Sequence, residues 1–378
     1  MKKILCMAAS LAVAGLLAAP AFAAETVKIG LMAPLTGSFA SEGQDMQKLV
    51  ELQAAELNKA GGINGKMIEI IVEDDGSTPR SAATAANRLV AKGVTMVIGT
   101  YGSAVTEASQ DIYDEAGVVQ IATGSTAIRL SEKKMKFFFR TCPRDDEQGR
   151  VMAGSVKRLA FKRVAVLHDN SAYAKGLADE TKAEIEKNKI AEVIFFDALV
   201  PNERDYTAIL TKLKGVNPDA IVFTGYYPEA GMLLRQMKEM KWSVPMIGGD
   251  ATNNVDLVKI AGQDAAAGYY FVSPPLPGDI DSPMAKEFLA AYKAKYSADP
   301  SSIWSVLAGD AFNVLTEAVK ATGKTDAKSV AEYLHKDLKD YNGLSGKISF
   351  DAKGDRVGDL YRLYKVDGAG AFVLQPAQ

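Results

Sequence analysis

From residue 27 onward, short apolar runs alternate with longer amphipathic ones. Residues 27–33 read as a strand, and 41–60 as a helix stopped by Gly61-Gly62. Residues 67–73 predict a second strand, and 79–92 a helix with proline in its first turn. Residues 94–99 and 118–122 predict strands flanking a helix over 104–116. The unit then restarts. Helices over 147–160, 172–187, 206–214 and 228–240 are interleaved with strands at 163–168, 192–196, 220–224 and 245–248. The strands are near-continuous apolar runs such as Val164-Ala165-Val166-Leu167, the pattern of a parallel sheet covered by helices on both faces. Two such series predict an α/β fold of two doubly wound, Rossmann-like lobes. Each sheet then offers one edge of strand carboxyl ends, where ligands sit.

Three places break the alternation. A Cys-Pro turn at 141–144 ends the first series, Ser-Pro-Pro-Leu-Pro-Gly at 273–278 ends the second, and 351–355 precedes a closing strand over 360–366. Between the last two breaks, helices are expected over 282–296, 302–321 and 328–335. Proline-containing extended segments suit crossings between lobes, because proline cannot continue a helix. The expected division is 1–23 as a leader, 24–143 with 275–352 as the first lobe, and 144–274 with 353–378 as the second.

The leader has its own pattern. Lys2 and Lys3 precede an apolar run over 4–19, then Pro20 and the small-x-small sequence Ala21-Phe22-Ala23. This predicts a secretory signal peptide cleaved after Ala23 or Ala24. Cleavage removes Cys6 and leaves Cys142 alone, so no intramolecular disulfide is expected and a buried inert thiol is the reading of Cys142. It also leaves 42 basic against 46 acidic residues, a balance opposed to nucleic-acid binding. With two histidines, His168 and His335, in unrelated contexts, no His-rich metal site is expected.

Enzyme motifs are scarce. There is no G-x-S-x-G elbow and no phosphate loop of P-loop spacing. Residues 61–66 (GGINGK) follow a helix and read as a turn. Ser131-Glu132-Lys133-Lys134 fits S-x-x-K without its companion motifs and reads as a solvated charged loop. Residues 351–359 make a poor calcium loop and read as a turn with Gly354 at positive φ.

The informative segments are polar clusters after apolar strands. Thr100-Tyr101-Gly102-Ser103 and Thr123-Gly124-Ser125-Thr126 lie at strand ends of the first lobe, with Ser103 opening a helix. They suit a carboxylate, through hydroxyls and unpaired helix N–H groups; simple N-capping by Ser103 and Thr126 is the competing reading. In the second lobe, Asp250 after Gly248-Gly249 suits an ammonium or a helix cap, and Tyr226 suits either end of a ligand. Tyr173 and Trp304 suit ligand walls or plain packing.

The segments 29–37 (IGLMAPLTG), 60–65 (AGGING), 73–79 (EDDGSTP), 225–229 (GYYPE) and 351–355 (DAKGD) resemble, as an ordered set, the type I periplasmic solute-binding proteins of branched-chain amino acid ABC transporters. The resemblance spans the mature chain. It implies two lobes joined by a three-segment hinge, closing on an aliphatic L-amino acid and delivering it to a membrane ABC permease from the periplasm, as a monomer without cofactor, metal or enzymatic activity. By resemblance, Ser103, Gly124 and Thr126 hold the α-carboxylate and part of the ammonium, Asp250 pairs the ammonium, and Tyr226 supplies a hydroxyl. Tyr173, Tyr101 and Trp304 line the side chain. Glu42 stands at the pocket rim where relatives often carry an aromatic residue, and Ser77 and Gly102 stand where some have a disulfide. Glu42 keeps open a second reading, the same fold binding an amide, an aromatic or another carboxylic acid. An exported α/β enzyme is a third.

Overall fold

A computed structural model describes residues 26–376 of the chain; the expected signal peptide lies outside the described residues. The first series forms β1 (Val27–Ala33), α1 (Ala40–Lys59), β2 (Ile68–Asp74), α2 (Pro79–Ala91), β3 (Met96–Ile98), α3 (Ser103–Ala116), β4 (Val119–Ala122), α4 (Arg129–Glu132) and β5 (Phe138–Arg140). Its strands make one parallel sheet in the order β2-β1-β3-β4-β5. The second series runs α5 (Asp145–Arg158), β6 (Arg163–His168), α6 (Ala172–Lys187), β7 (Glu192–Ala198), α7 (Thr207–Val216), β8 (Ala220–Phe223), α8 (Tyr227–Glu239), β9 (Met246–Gly248), α9 (Asp256–Ala261), α10 (Gln263–Ala266) and β10 (Tyr270–Ser273). Its parallel order β7-β6-β8-β9-β10 repeats that of the first sheet. Strand order reverses at β1/β3 and at β6/β8, and the carboxyl ends flanking those points are where a doubly wound sheet opens a crevice.

The chain returns to the first lobe with α11 (Pro283–Tyr296), α12 (Trp304–Thr322), α13 (Ala327–Lys336) and the hairpin β11 (Tyr341–Gly343)/β12 (Gly346–Ile348). The buried helix α12 packs on α1. It crosses once more to add β13 (Arg362–Val366) and β14 (Phe372–Leu374) antiparallel to the edge of the second sheet. No described helix is long and apolar enough to cross a membrane.

The expected elements form within a few residues of their predicted limits, and several further ones appear. β5 has three residues and ends in the buried Arg140, so its pattern is that of an approach to a turn. β14 is a partly exposed edge strand ordered by its pairing with β13. The segment 61–66 is the expected turn: Gly61, Gly62, Asn64 and Gly65 all have positive φ, and a Cβ on Gly62 would lie 2.1 Å from the Lys66 carbonyl oxygen.

The crossovers meet in a buried ion network. Asp355, on the third crossover, binds Arg140 at the end of β5 through Nε and Arg144 on the first crossover through Nη1 at 2.7 Å. Burial raises the Asp355 carboxyl, but the two guanidiniums and the Ser131 hydroxyl outweigh it and hold the group below the usual carboxylate range. Gly354 has φ +81°, and a Cβ there would lie 2.1 Å from the Phe138 carbonyl oxygen, so only glycine lets this crossover lie against β5. Ser131 is a correction: it is fully buried, binding Asp355 and Arg140, rather than part of a solvated loop. Cys142 is buried beside the same crossover and its thiol is pushed up to about 12 by desolvation, which makes it inert at neutral pH.

Candidate functional site

The strand-end loops of the first lobe are fixed by a chain of buried hydroxyls. Thr106 bonds Thr100 at 2.6 Å and Ser125 at 2.7 Å. Gly124 sits where a Cβ would lie 2.8 Å from the Tyr101 ring, and its N–H already donates to the Thr100 carbonyl. Ser103 is the first residue of α3 rather than its cap, which is Gly102. Its hydroxyl accepts from the Ala127 amide at 3.2 Å. Thr126 caps nothing either: its buried Oγ1 has no partner within the protein. An unpaired helix N-terminus and a free hydroxyl therefore stand side by side, a setting for a carboxylate.

The second lobe places Asp250 directly after β9. Tyr173 donates to its Oδ1 at 2.9 Å and Tyr361 to its Oδ2 at 2.8 Å. Gln148 Oε1 accepts from the Asp250 amide, while its Nε2 donates to Tyr361. Glycine at 249 makes this approach feasible, since a Cβ would lie 2.5 Å from the Tyr173 hydroxyl. Burial raises the Asp250 carboxyl to about 6 against the lowering pull of these donors. Asp250 is thus not a helix cap, and Tyr173 does more than pack.

Three residues of this cluster were not singled out in the sequence: Gln148, Tyr361 and Asp145. Asp145 opens α5 on the first crossover, its amide donating to the Thr126 carbonyl at 3.0 Å. Both carboxyl oxygens are buried without a partner. Burial drives this carboxyl far up, and the charge of Asp250 adds to the effect; the nearby Thr126 hydroxyl opposes it. Asp145 therefore links the hydroxyl cluster of one lobe to the acid of the other. Two buried carboxyls with unfilled acceptor positions call for a cation with several N–H donors, such as a primary ammonium.

Aromatic rings fill the seam. Phe39, from the loop before α1, stacks on Tyr226 at 4.5 Å between centroids. Tyr101 lies 6.0 Å from Tyr226 and 5.8 Å from Trp304, and Tyr173 lies 5.3 Å from Tyr226. Phe39 gave no signal in the sequence, because a lone aromatic in a loop is indistinguishable from a packing residue. A cavity of about 170 Å³ opens beside Tyr101, Gly102 and Tyr226, between the lobes.

Glu42 is placed differently from expectation. It is 1% exposed and faces no pocket rim. Asn254 of the second lobe donates to its Oε1 at 2.6 Å, and Ser302 bonds its Oε2. Around it Tyr227 donates to the Ser38 carbonyl, and Asn254 also reaches Ser41. Glu42 thus bridges to Asn254 with both of its oxygens occupied. Burial pushes its carboxyl up to about 8, opposed by Asn254 and Ser302 and reinforced by the charges of Asp45 and Asp256. A carboxyl raised in the folded chain adds stability in full below its ordinary value near 4.5, and that contribution is lost as pH rises through about 8. The ligand-free chain is therefore expected to lose melting temperature between pH 5 and 8.5 more steeply than Glu42→Gln, as read by calorimetry; parallel curves contradict the assignment.

The chain is similar to known proteins along most of its length. A family model described as periplasmic binding protein matches residues 26–371. The leucine-, isoleucine-, valine-, threonine- and alanine-binding protein of Pseudomonas aeruginosa is 36% identical over 92% of this chain and 91% of its own length. The Leu/Ile/Val-binding protein BraC3 of Rhizobium johnstonii is 35% identical over 90% of the chain and 91% of its own length. Among solved structures, the branched-chain amino acid transporter substrate-binding protein LivJ of Streptococcus pneumoniae, in complex with isoleucine, superposes with a TM-score of 0.85 at 32% identity, over 93% of this chain and 99% of that one. A leucine-binding protein LivK of Thermotoga maritima gives 0.85 at 29% identity, over 93% and 98%.

Proposed function

The chain belongs to the periplasmic binding protein family, and from that premise we propose that it is the substrate-binding component of an ABC importer, closing its two lobes on an aliphatic L-amino acid and delivering it to a membrane permease. The observation that carries this reading is the buried carboxyl of Asp250 set across the seam from the N-terminus of α3 and the Thr126 hydroxyl, with the buried carboxyl of Asp145 beside Thr126 between them. A zwitterion leaving water loses hydration at both ends, and each charge needs a partner inside the cleft. Here the ammonium goes to Asp250 and Asp145, the carboxylate to the α3 N-terminus, Ser103 and Thr126, with Gly124 leaving room and Tyr226 closing from the other lobe. Tyr101, Tyr173 and Trp304 bound the side chain. Full pairing exists only when the lobes are shut, so ligand shifts the balance toward closure.

The leader supports export to the periplasm, and the lobe limits proposed are 24–143 with 275–352 against 144–274 with 353–378. The working unit is a monomer. An enzyme is disfavoured by the placement of both histidines: His168 Nδ1 accepts from the Asn170 amide, and His335 lies against Phe139. The saturated state of Glu42 removes its objection to an aliphatic ligand. A thermal-shift screen over the common L-amino acids tests the reading. A ligand at 100 times its dissociation constant is expected to add about 2.7 kcal/mol of stability. An unchanged melting point with leucine, isoleucine and valine sinks it.

A further inference from the structure

Asp250 begins and ends a one-way ring of hydrogen bonds. Its backbone N–H can only donate, and it meets Gln148 Oε1 at 3.1 Å. That fixes which way the Gln148 amide points, so Nε2 lies on the other side and donates to the Tyr361 hydroxyl at 2.7 Å. With its oxygen accepting there, the Tyr361 phenol sends its own proton to Asp250 Oδ2 at 2.8 Å. Tyr173 is directed in a similar way. The Ala251 amide donates to its oxygen at 3.4 Å, and its proton goes to Asp250 Oδ1 at 2.9 Å rather than to Gln148 Oε1 at 3.3 Å. A charged acceptor makes the shorter and stronger bond. All four residues are buried. Glycine at 249 leaves room for the ring, since a Cβ there would lie 2.7 Å from Gln148 Oε1.

Two phenol protons aimed at one carboxyl suit the carboxylate and not the acid. A protonated Asp250 would have to donate, yet the Tyr361 oxygen already accepts from Gln148 and the Tyr173 oxygen from Ala251. Hydrogen bonds made to the charged form favour that form. Gln148 lies in α5, just past the first crossover, and Tyr361 lies just past the third, before β13. The two crossings thus deliver, 213 residues apart, the pair that orients the acid after β9.

We propose that Gln148 and Tyr361 are positioning residues: they turn both phenol protons toward Asp250 and so prepare its carboxylate for an ammonium before a ligand arrives. This role rests on the amino-acid-binding reading and deepens it. Burial raises the Asp250 carboxyl to about 6, and Tyr361, Tyr173 and Gln148 pull it down, in that order. The groups that feel the Asp250 charge are Asp145 on α5, Tyr173 on α6, Tyr226 before α8, Tyr361, Tyr101 and Cys142. Burial pushes the four phenols and the thiol up, so they stay neutral near pH 7, and the acid limb of binding belongs to Asp250 and Asp145 as a pair.

Tyr361→Phe removes one donor and keeps the ring's shape. Calorimetry on the mature chain, from about pH 5 to 8, follows the affinity of the tightest binder among leucine, isoleucine and valine, and of its des-amino analogue. In Tyr361→Phe the pH at which amino-acid affinity begins to fall is expected to rise by at least about one unit, the worth of one hydrogen bond to a charged group. At the upper end of that range the affinity of the des-amino analogue is expected to change by less than about threefold. Gln148→Met keeps the length and removes the amide. It is expected to move the acid limb the same way by at least about half a unit, and it serves if Tyr361→Phe does not fold. An unmoved acid limb overturns the inference and leaves the importer reading standing. So does an equal loss for both ligands at every pH, which is what a purely structural role would give. A native chain that binds none of the three amino acids sinks the importer reading, and this role with it.

Discussion

Asp250→Asn is expected to bind an aliphatic L-amino acid at least about 100-fold more weakly than the native chain, because removing one partner of a buried charge pair costs about 3–5 kcal/mol. The substitution preserves shape and the hydrogen bonds from Tyr173 and Tyr361 have an acceptor at one position only, so the ammonium meets an amide where it needs a carboxylate. The des-amino analogue of leucine, 4-methylpentanoate, carries no ammonium, and its affinity is expected to change by less than about threefold, well under one decade of binding free energy. Equal losses for both ligands contradict the role given to Asp250. The pH dependence has a definite sign. In the ligand-free chain the Asp250 carboxyl lies at about 6, raised by burial, so below that value it carries a proton and no longer attracts an ammonium. Affinity is expected to fall as pH drops from 7 to 5. The Asp145 carboxyl is raised by burial as well, so as pH falls toward about 6 a bound ammonium, which favours ionised carboxyls, is expected to displace protons to solvent, visible as a dependence of the binding enthalpy on buffer ionisation.

Asp355→Ala is expected to destabilise the chain by about 3–5 kcal/mol, read from urea unfolding of the ligand-free protein. The reason is Arg140, whose side chain is fully buried and which loses its only carboxylate partner among the described residues. The remaining Arg140 bonds run to the Ser131 hydroxyl and to the Ser125 and Ala127 carbonyls, the last two on either side of Thr126. Amino-acid affinity is therefore expected to fall along with stability, since the guanidinium that braces the carboxylate loop loses its ionic anchor. A loss below about 1 kcal/mol, the scale of an exposed pair, means that the network is not what fastens the crossovers.

The legibility of this protein differs sharply between its parts. Strands such as 163–168 and helices such as 172–187 were readable because burial of both sheet faces demands uninterrupted apolar runs, and because helix faces repeat at a fixed period. Ser103, Thr126 and Asp250 were readable because the strand-end rule singles out polar residues that follow apolar strands. Asp145 was not, since an acid in the first turn of a helix is ordinarily explained by the helix dipole. Tyr361 was not, since it precedes a strand in the closing segment, 111 residues from the carboxylate it supports. Glu42 was readable as unusual but expected at the pocket rim, because its partners Asn254 and Ser302 come from distant parts of the chain.

By itself, the order of apolar and polar residues determined the secondary elements, the doubly wound character of both lobes and the edges at which a ligand would sit, because these follow from local periodicity and from the handedness of parallel crossovers. Only the tertiary structure decided which acids share a buried gap, which hydroxyls are left unpaired and which carboxyl bridges to Asn254. Charge and hydrogen-bond satisfaction are properties of neighbours in space, and the three crossings of this chain bring together neighbours that lie from 77 to 212 residues apart in sequence.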